Sequence, residues 1–284
     1  MAEGSQILVS TNWLADNLHE CQVVVLDASR HLPGAGRDPR SEFDAGHIPG
    51  ARFLDLASLT DASSLVPAAL PRGKQVATRL AKLGVETSAQ IILYDDSALK
   101  TSARAWFALS QCGIDNVAVL EGGLDKWRSE GRPLESESEA IKPSDRSVFC
   151  EPTSVTSKAE MLANLESGAF QVLDARGADR VYGGGIDPVH GGQNGRIPSA
   201  LNLPFGQVFK EDGTFKSPSE LRRQFEKAGV QWHRPLVTTC GSGVTASVLL
   251  FAARLAGKAD VSLYDGSWQE WEADPLTPKE QGPL

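Results

Sequence analysis

Cys240-Gly241-Ser242-Gly243-Val244-Thr245 is the stretch whose reading decides the rest. The apolar run Pro235-Leu236-Val237-Thr238-Thr239 precedes it, and the apolar-rich segment 246–256 follows. The order is strand, tight loop, helix. Two glycines let the backbone turn until several N–H groups face one centre. The helix adds the positive end of its dipole. A cysteine opening such a loop sits where an anion is welcome, so its thiolate is favoured. A thiolate cradled by backbone amides can act as a nucleophile and can hold extra negative charge after reaction. The competing reading is a buried structural cysteine, for which a Gly-rich strand-to-helix turn is an unusual place.

Outward from this loop the chain repeats itself. Val23-Val24-Val25-Leu26-Asp27-Ala28 returns as Val172-Leu173-Asp174-Ala175, and His47-Ile48-Pro49-Gly50-Ala51 as Arg196-Ile197-Pro198-Ser199-Ala200. Leu120-Glu121-Gly122-Gly123-Leu124-Asp125-Lys126-Trp127 returns as Tyr264-Asp265-Gly266-Ser267-Trp268-Gln269-Glu270-Trp271. Three motifs in the same order twice imply two homologous domains in tandem. The expected division is residues 1–132, a linker at 133–155, and residues 156–284, the linker resting on its prolines, serines and glutamates. In each half strands alternate with helical patterns, which predicts an α/β fold with a mostly parallel sheet and helices on both faces. Strands are expected at 23–27, 52–54, 91–94 and 117–120, with helices at 11–18, 74–83, 103–112 and from 122. The second half reads as strands at 171–174, near 201, at 236–239 and 261–264, with helices at 158–167, 218–228, 244–256 and 267–271.

At 284 residues, 41% hydrophobic and 23% charged, the chain has material for two ordinary globular domains. A net charge of −8 argues against nucleic acid or an anionic membrane as partner. No stretch reads as a transmembrane helix or signal peptide. The four cysteines, Cys21, Cys112, Cys150 and Cys240, form no CxxC pair and no metal-ligand spacing with the five histidines. Free thiols in a reducing cytoplasm are the expectation.

Ligands of open α/β sheets gather beyond the carboxyl ends of the strands. Cys240 lies at such an end, and Asp95-Asp96 holds the matching place in the first half. A carboxylate cannot take up sulfur as a thiolate can. The first half is therefore expected to be a degenerate partner, forming one wall of a cleft.

These residues resemble the two-domain rhodaneses. Phe43-Asp44-Ala45-Gly46-His47-Ile48-Pro49-Gly50-Ala51 looks like their amino-terminal signature and Val261 through Trp271 like their carboxy-terminal one. The Cys240 loop is similar to that of the 3-mercaptopyruvate sulfurtransferases, whereas thiosulfate-preferring relatives usually carry basic residues just after the cysteine. The resemblance implies a sulfurtransferase without metal or organic cofactor. By that resemblance Cys240 takes sulfur from 3-mercaptopyruvate as a persulfide and releases pyruvate, the loop amides of Gly241, Ser242, Gly243, Val244 and Thr245 stabilise it, and a thiol, thioredoxin or cyanide removes it. The resemblance also makes Arg180 the anchor for the substrate carboxylate and leaves Arg176 a structural pair.

Several positions depart from the family. A second substrate arginine is replaced by Val189, beside His190. An Asp and a His of a first-domain relay are replaced by Ala57 and Ala68, and an expected aromatic residue by Arg30. The second His-Ile-Pro-Gly has become Arg196-Ile197-Pro198-Ser199. Arg30 and Arg196 are the candidates for restoring the lost charge, with an exposed salt bridge as the competing reading for both. Two other functions compete with sulfur transfer. A cysteine phosphatase needs a longer loop closed by an arginine, and Ala246 and Ser247 stand there instead. A non-enzymatic module on an inactive rhodanese fold fits the lost relay but not the intact Cys240 loop. Among sulfurtransferases, thiosulfate is the alternative donor.

Overall fold

The computed structural model describes residues 6–136, 140–145 and 155–282. The chain divides into two compact units, Met1–Thr60 with Leu70–Thr153 and Glu211–Thr214, and Asp61–Ala69 with Ser154–Lys210 and Phe215–Leu284.

In the first unit the elements run β1 (Leu8–Val9), α1 (Thr11–Asn17), β2 (Val23–Asp27), α2 (Pro39–Ala45), β3 (Arg52–Phe53), α3 (Gly73–Lys82), β4 (Gln90–Tyr94), α4 (Ser102–Gln111), β5 (Val117–Leu120) and α5 (Gly123–Ser129). In the second they run β6 (Val155–Thr156), α6 (Lys158–Ser167), β7 (Gln171–Asp174), α7 (Ala178–Tyr182), β8 (Leu201–Asn202), a short 3-10 turn (Phe205–Val208), α8 (Pro218–Lys227), β9 (Leu236–Thr239), α9 (Val244–Leu255), β10 (Val261–Tyr264) and α10 (Ser267–Ala273). Each unit holds a five-stranded sheet, ordered β1-β5-β4-β2-β3 and β6-β10-β9-β7-β8. All the paired strands are parallel. The second order is the first one repeated, as the tandem motifs predicted.

Local chemistry explains the helix starts. Ser157 with Glu160 and Ser217 with Glu220 form capping boxes ahead of α6 and α8, and Pro218 opens α8. Five elements go beyond the sequence reading: β1, β6, α2, α7 and the 3-10 turn. The strands have two residues each and α7 has five, too few to show a period. The helix α2 does carry a start signal, the Asp38 N-cap followed by Pro39 and Glu42.

The repeat extends to hydrogen bonds. Trp127 Nε1 donates to Pro133 O at 2.8 Å, and Trp271 Nε1 to Pro278 O at 2.8 Å. His47 exchanges backbone bonds with Glu135, and Arg196 does the same with Glu280. In the segment expected as a linker, Pro133 and Glu135 are thus bonded to the first unit, as is Ser144 through Ala81 O. Glu137, Ser138, Glu139 and residues 146–154 lie outside the described residues. Among the described residues no helix is long and apolar enough to cross a membrane.

One difference between the halves has a thermodynamic consequence. Asp174 is clamped by Arg176, with Nη2 2.7 Å from Oδ2. The matching Asp27 is equally buried, but Ser29 stands where Arg176 would be, and its amide donates to Asp27 Oδ1 at 2.8 Å. Burial pushes the Asp27 carboxyl up to about 6, against the pull of the Ser29 bonds. The fold then prefers the protonated acid. Its contribution is fully present below the unfolded value near ~4 and is lost as pH rises through about 6. Asp27→Asn should remove this loss, about 2–3 kcal/mol at neutral pH. Urea melts of the full chain check it: the variant's gain over wild type should grow between pH 4 and 7. A constant difference would refute the buried-acid account.

Candidate active site

The cysteine loop follows β9, the central strand of the second sheet, flanked by β10 and β7. Its geometry follows from the neighbours that hold it. Gly243 caps α9 in the left-handed region, at φ 78°, where glycine carries no Cβ penalty. The Ser247 hydroxyl donates to Gly243 O at 2.9 Å. From the other side, Trp268 N donates to Cys240 O at 2.9 Å and Gln269 N to Gly241 O at 3.0 Å. These bonds turn both carbonyls toward α10. In a trans peptide the N–H points opposite to the C=O, so the amides of Gly241 and Ser242 face away from α10. At the loop's far end, α9 adds the orphan amides of its first turn.

Cys240 itself is 2% exposed. Its amide donates to Ser267 Oγ at 3.2 Å, and that hydroxyl donates to Tyr264 O at 2.9 Å. Ser267 occupies the place of Gly123 in the first repeat and keeps a positive φ of 50°. There, Leu124 N donates to Asp95 O at 3.1 Å, as Trp268 N does to Cys240 O. Asp95 is therefore the structural counterpart of Cys240. Its carboxylate accepts from the amides of Ser97 and Ser102 at 2.9 and 2.8 Å, which ties down the start of α4.

Arg180 comes from α7, just beyond β7. Its Nη2 lies 3.3 Å from the point a Cβ on Gly241 would occupy, which brings it to the cysteine loop. Its side chain is 15% exposed, and Nε and Nη2 contact Asp187 Oδ2 at 3.1 and 2.7 Å. Burial alone would push the Asp187 carboxyl up. The Arg180 bonds and the amides of Val189 and His190 outweigh it and hold it below the usual carboxylate range. Arg176 is fully buried between Asp174 and Asp187, donates to Gly195 O at 2.6 Å, and lies 4.8 Å over the Trp268 ring. Burial opposes its charge, but Asp174, then Asp187 and Cys240, keep its pKa above the ordinary value. It is the structural pair expected.

Arg196 is engaged within its own unit. Arg196 is 3% exposed and held in the bridge to Glu280, with Nη2 3.3 Å from that carboxylate, a bond to Gly282 O, and its guanidinium 5.1 Å over Tyr182. It does for the second unit what His47 does for the first, so its charge is engaged in the fold rather than offered to a ligand. Arg30 belongs to the first unit, where burial and then the neighbouring Arg104 lower its pKa. Its carbonyl accepts from Ser97 Oγ at 2.5 Å.

Asp187, Ser267, Trp268 and Gln269 were not singled out from sequence. For Ser267 a signal existed in the repeat, which sets a serine against Gly123. Asp187 lies in the Gly-rich loop 183–195, outside the repeated motifs.

Comparison with known proteins agrees with this geometry. The Rhodanese-like domain matches residues 10–130 and again 157–274. The 3-mercaptopyruvate sulfurtransferase of Mus musculus is 38% identical over 93% of this chain and 91% of its own length. The thiosulfate sulfurtransferase of Bos taurus is 37% identical over 97% and 95%. The crystal structure of the 3-mercaptopyruvate sulfotransferase SseA from Escherichia coli superposes with a TM-score of 0.84 at 33% identity, covering 93% of this chain and 99% of that one. With two such domains in tandem, each built on the same five-stranded order, the chain belongs to the rhodanese-like family.

Proposed function

We propose that this protein is a sulfurtransferase that moves sulfur from 3-mercaptopyruvate to a thiol acceptor through a persulfide on Cys240. The observation that carries the reading is Cys240 at the mouth of an amide-lined loop, with Arg180 beside Gly241. The Cys240 thiolate attacks the mercapto sulfur. A sulfur–sulfur bond forms and the carbon–sulfur bond breaks, its electron pair passing to the carbon as the pyruvate enolate. The mercapto proton moves to that carbon, so pyruvate leaves and Cys240 keeps a persulfide anion. An acceptor thiolate, such as reduced thioredoxin, then attacks the outer sulfur and returns the Cys240 thiolate; cyanide can serve instead. This is double-displacement covalent catalysis, with the leaving sulfur following thiol-exchange logic.

The amides of Gly241 through Thr245 and the first turn of α9 stabilise the persulfide charge as an oxyanion hole would. Arg180 holds the substrate carboxylate away from the reacting sulfur. In the first domain Asp95 replaces the nucleophile, and that domain is inactive. A free Cys240 thiolate requires reducing surroundings, which favours the cytoplasm. The neutral pair Gly241-Ser242 offers no side-chain cation to compact thiosulfate. Steady-state kinetics with both donors and cyanide as acceptor tests the assignment. The expected result is the higher kcat/KM with 3-mercaptopyruvate; a higher value with thiosulfate, the donor named for the bovine relative, would reverse it.

A further inference from the structure

Gly241 is not in the left-handed backbone region, so its conformation does not demand glycine. Space does. A Cβ on Gly241 would lie 2.1 Å from His190 Nε2 and 2.3 Å from its Cδ2. Arg180 Nη2 is 3.3 Å from that same point. The imidazole and the guanidinium therefore converge on the residue that follows the nucleophile. One buried carboxylate sets both: Asp187 receives the Arg180 fork on Oδ2, and its Oδ1 accepts the amides of Val189 and His190 at 2.8 and 3.3 Å. The ring thus fills the volume that any side chain at 241 would take.

We propose that His190 is the second donor-binding side chain, its Nε2–H and the Arg180 guanidinium together gripping the anionic end of the donor. The proposal rests on the assignment of a 2-oxo acid donor made above. Such a donor presents a carboxylate and an adjacent carbonyl oxygen, two acceptors a bond apart. The guanidinium N–H groups that Asp187 does not use and a single imidazole N–H match that pair better than either group alone. The geometry also gives Gly241 a role: it leaves room for the imidazole beside the loop.

The experiment is a double-mutant cycle on the full chain. His190→Ala should raise KM for 3-mercaptopyruvate roughly ten-fold, the loss of one hydrogen bond to a charged group. The rate at which cyanide discharges a preloaded Cys240 persulfide should not change, because the donor has already left. His190→Gln, which keeps an N–H donor, should recover part of the KM. Gly241→Ala should raise KM in the wild-type background by displacing the ring, yet add less in the His190→Ala background, where only the 3.3 Å approach of Arg180 remains. An unchanged KM in His190→Ala, or equal harm from Gly241→Ala in both backgrounds, would overturn the proposal. Wild-type enzyme is run first. If it takes no sulfur from 3-mercaptopyruvate, the donor assignment falls and this proposal with it; if it does and His190→Ala behaves as wild type, only this proposal falls.

Discussion

Cys240→Ser abolishes sulfur uptake and leaves both domains folded. Serine keeps the volume, and the bonds that hold the position are made by its backbone amide and carbonyl, which the substitution does not touch. What is lost is a thiolate able to form a sulfur–sulfur bond. Removing a covalent nucleophile typically costs roughly a thousand-fold or more in turnover. Intact mass after donor treatment should show one added sulfur in the wild type and none in the variant. Cys21 is exposed and Cys112 buried, and Cys150 lies outside the described residues. Sulfur on any of these three, with activity retained in Cys240→Ser, would end the proposed mechanism.

Arg180→Ala has the second largest effect and acts in two ways. It removes the cation closest to Gly241, which should lower kcat/KM for 3-mercaptopyruvate by about ten- to a hundred-fold. It also strips the buried Asp187 of its closest cation, so thermal stability should fall as well. The two effects separate in single turnover. Donor-dependent persulfide formation should slow, whereas cyanide discharge of persulfide already on Cys240 should stay near the wild-type rate. Mercaptopyruvate kinetics unchanged in the variant would remove Arg180 as anchor.

Much of the architecture was legible in the sequence because the chain states it twice. The strands Val23–Asp27, Val117–Leu120, Gln171–Asp174, Leu236–Thr239 and Val261–Tyr264 are short, apolar and bounded by turn residues, and they stand as read. The Cys240 turn was legible because glycine spacing and an apolar helix leave few other conformations. Arg196 shows the limit. Its charge suggested a ligand, but the decisive fact is a bridge to Glu280, more than eighty residues away. Asp187 shows it at shorter range: its partners Arg180 and Arg176 lie only seven and eleven residues before it, and the path of the loop alone brings them together. Sequence gives side-chain chemistry; which charge is already neutralised is set by tertiary contacts between distant segments.

Ser267 carries a consequence for engineering. At φ 50° a serine bears a backbone penalty that Gly123, its twin, avoids at φ 60°. Such a residue costs on the order of 1 kcal/mol. In return its hydroxyl receives the Cys240 amide, a bond glycine cannot make. The second domain thus holds Cys240 by a hydroxyl whose own backbone is strained. A search for heat resistance that ignored sulfur chemistry would be drawn to glycine at this position, because relief of strain is all it would register. The sturdier enzyme it returned would have a slacker cysteine.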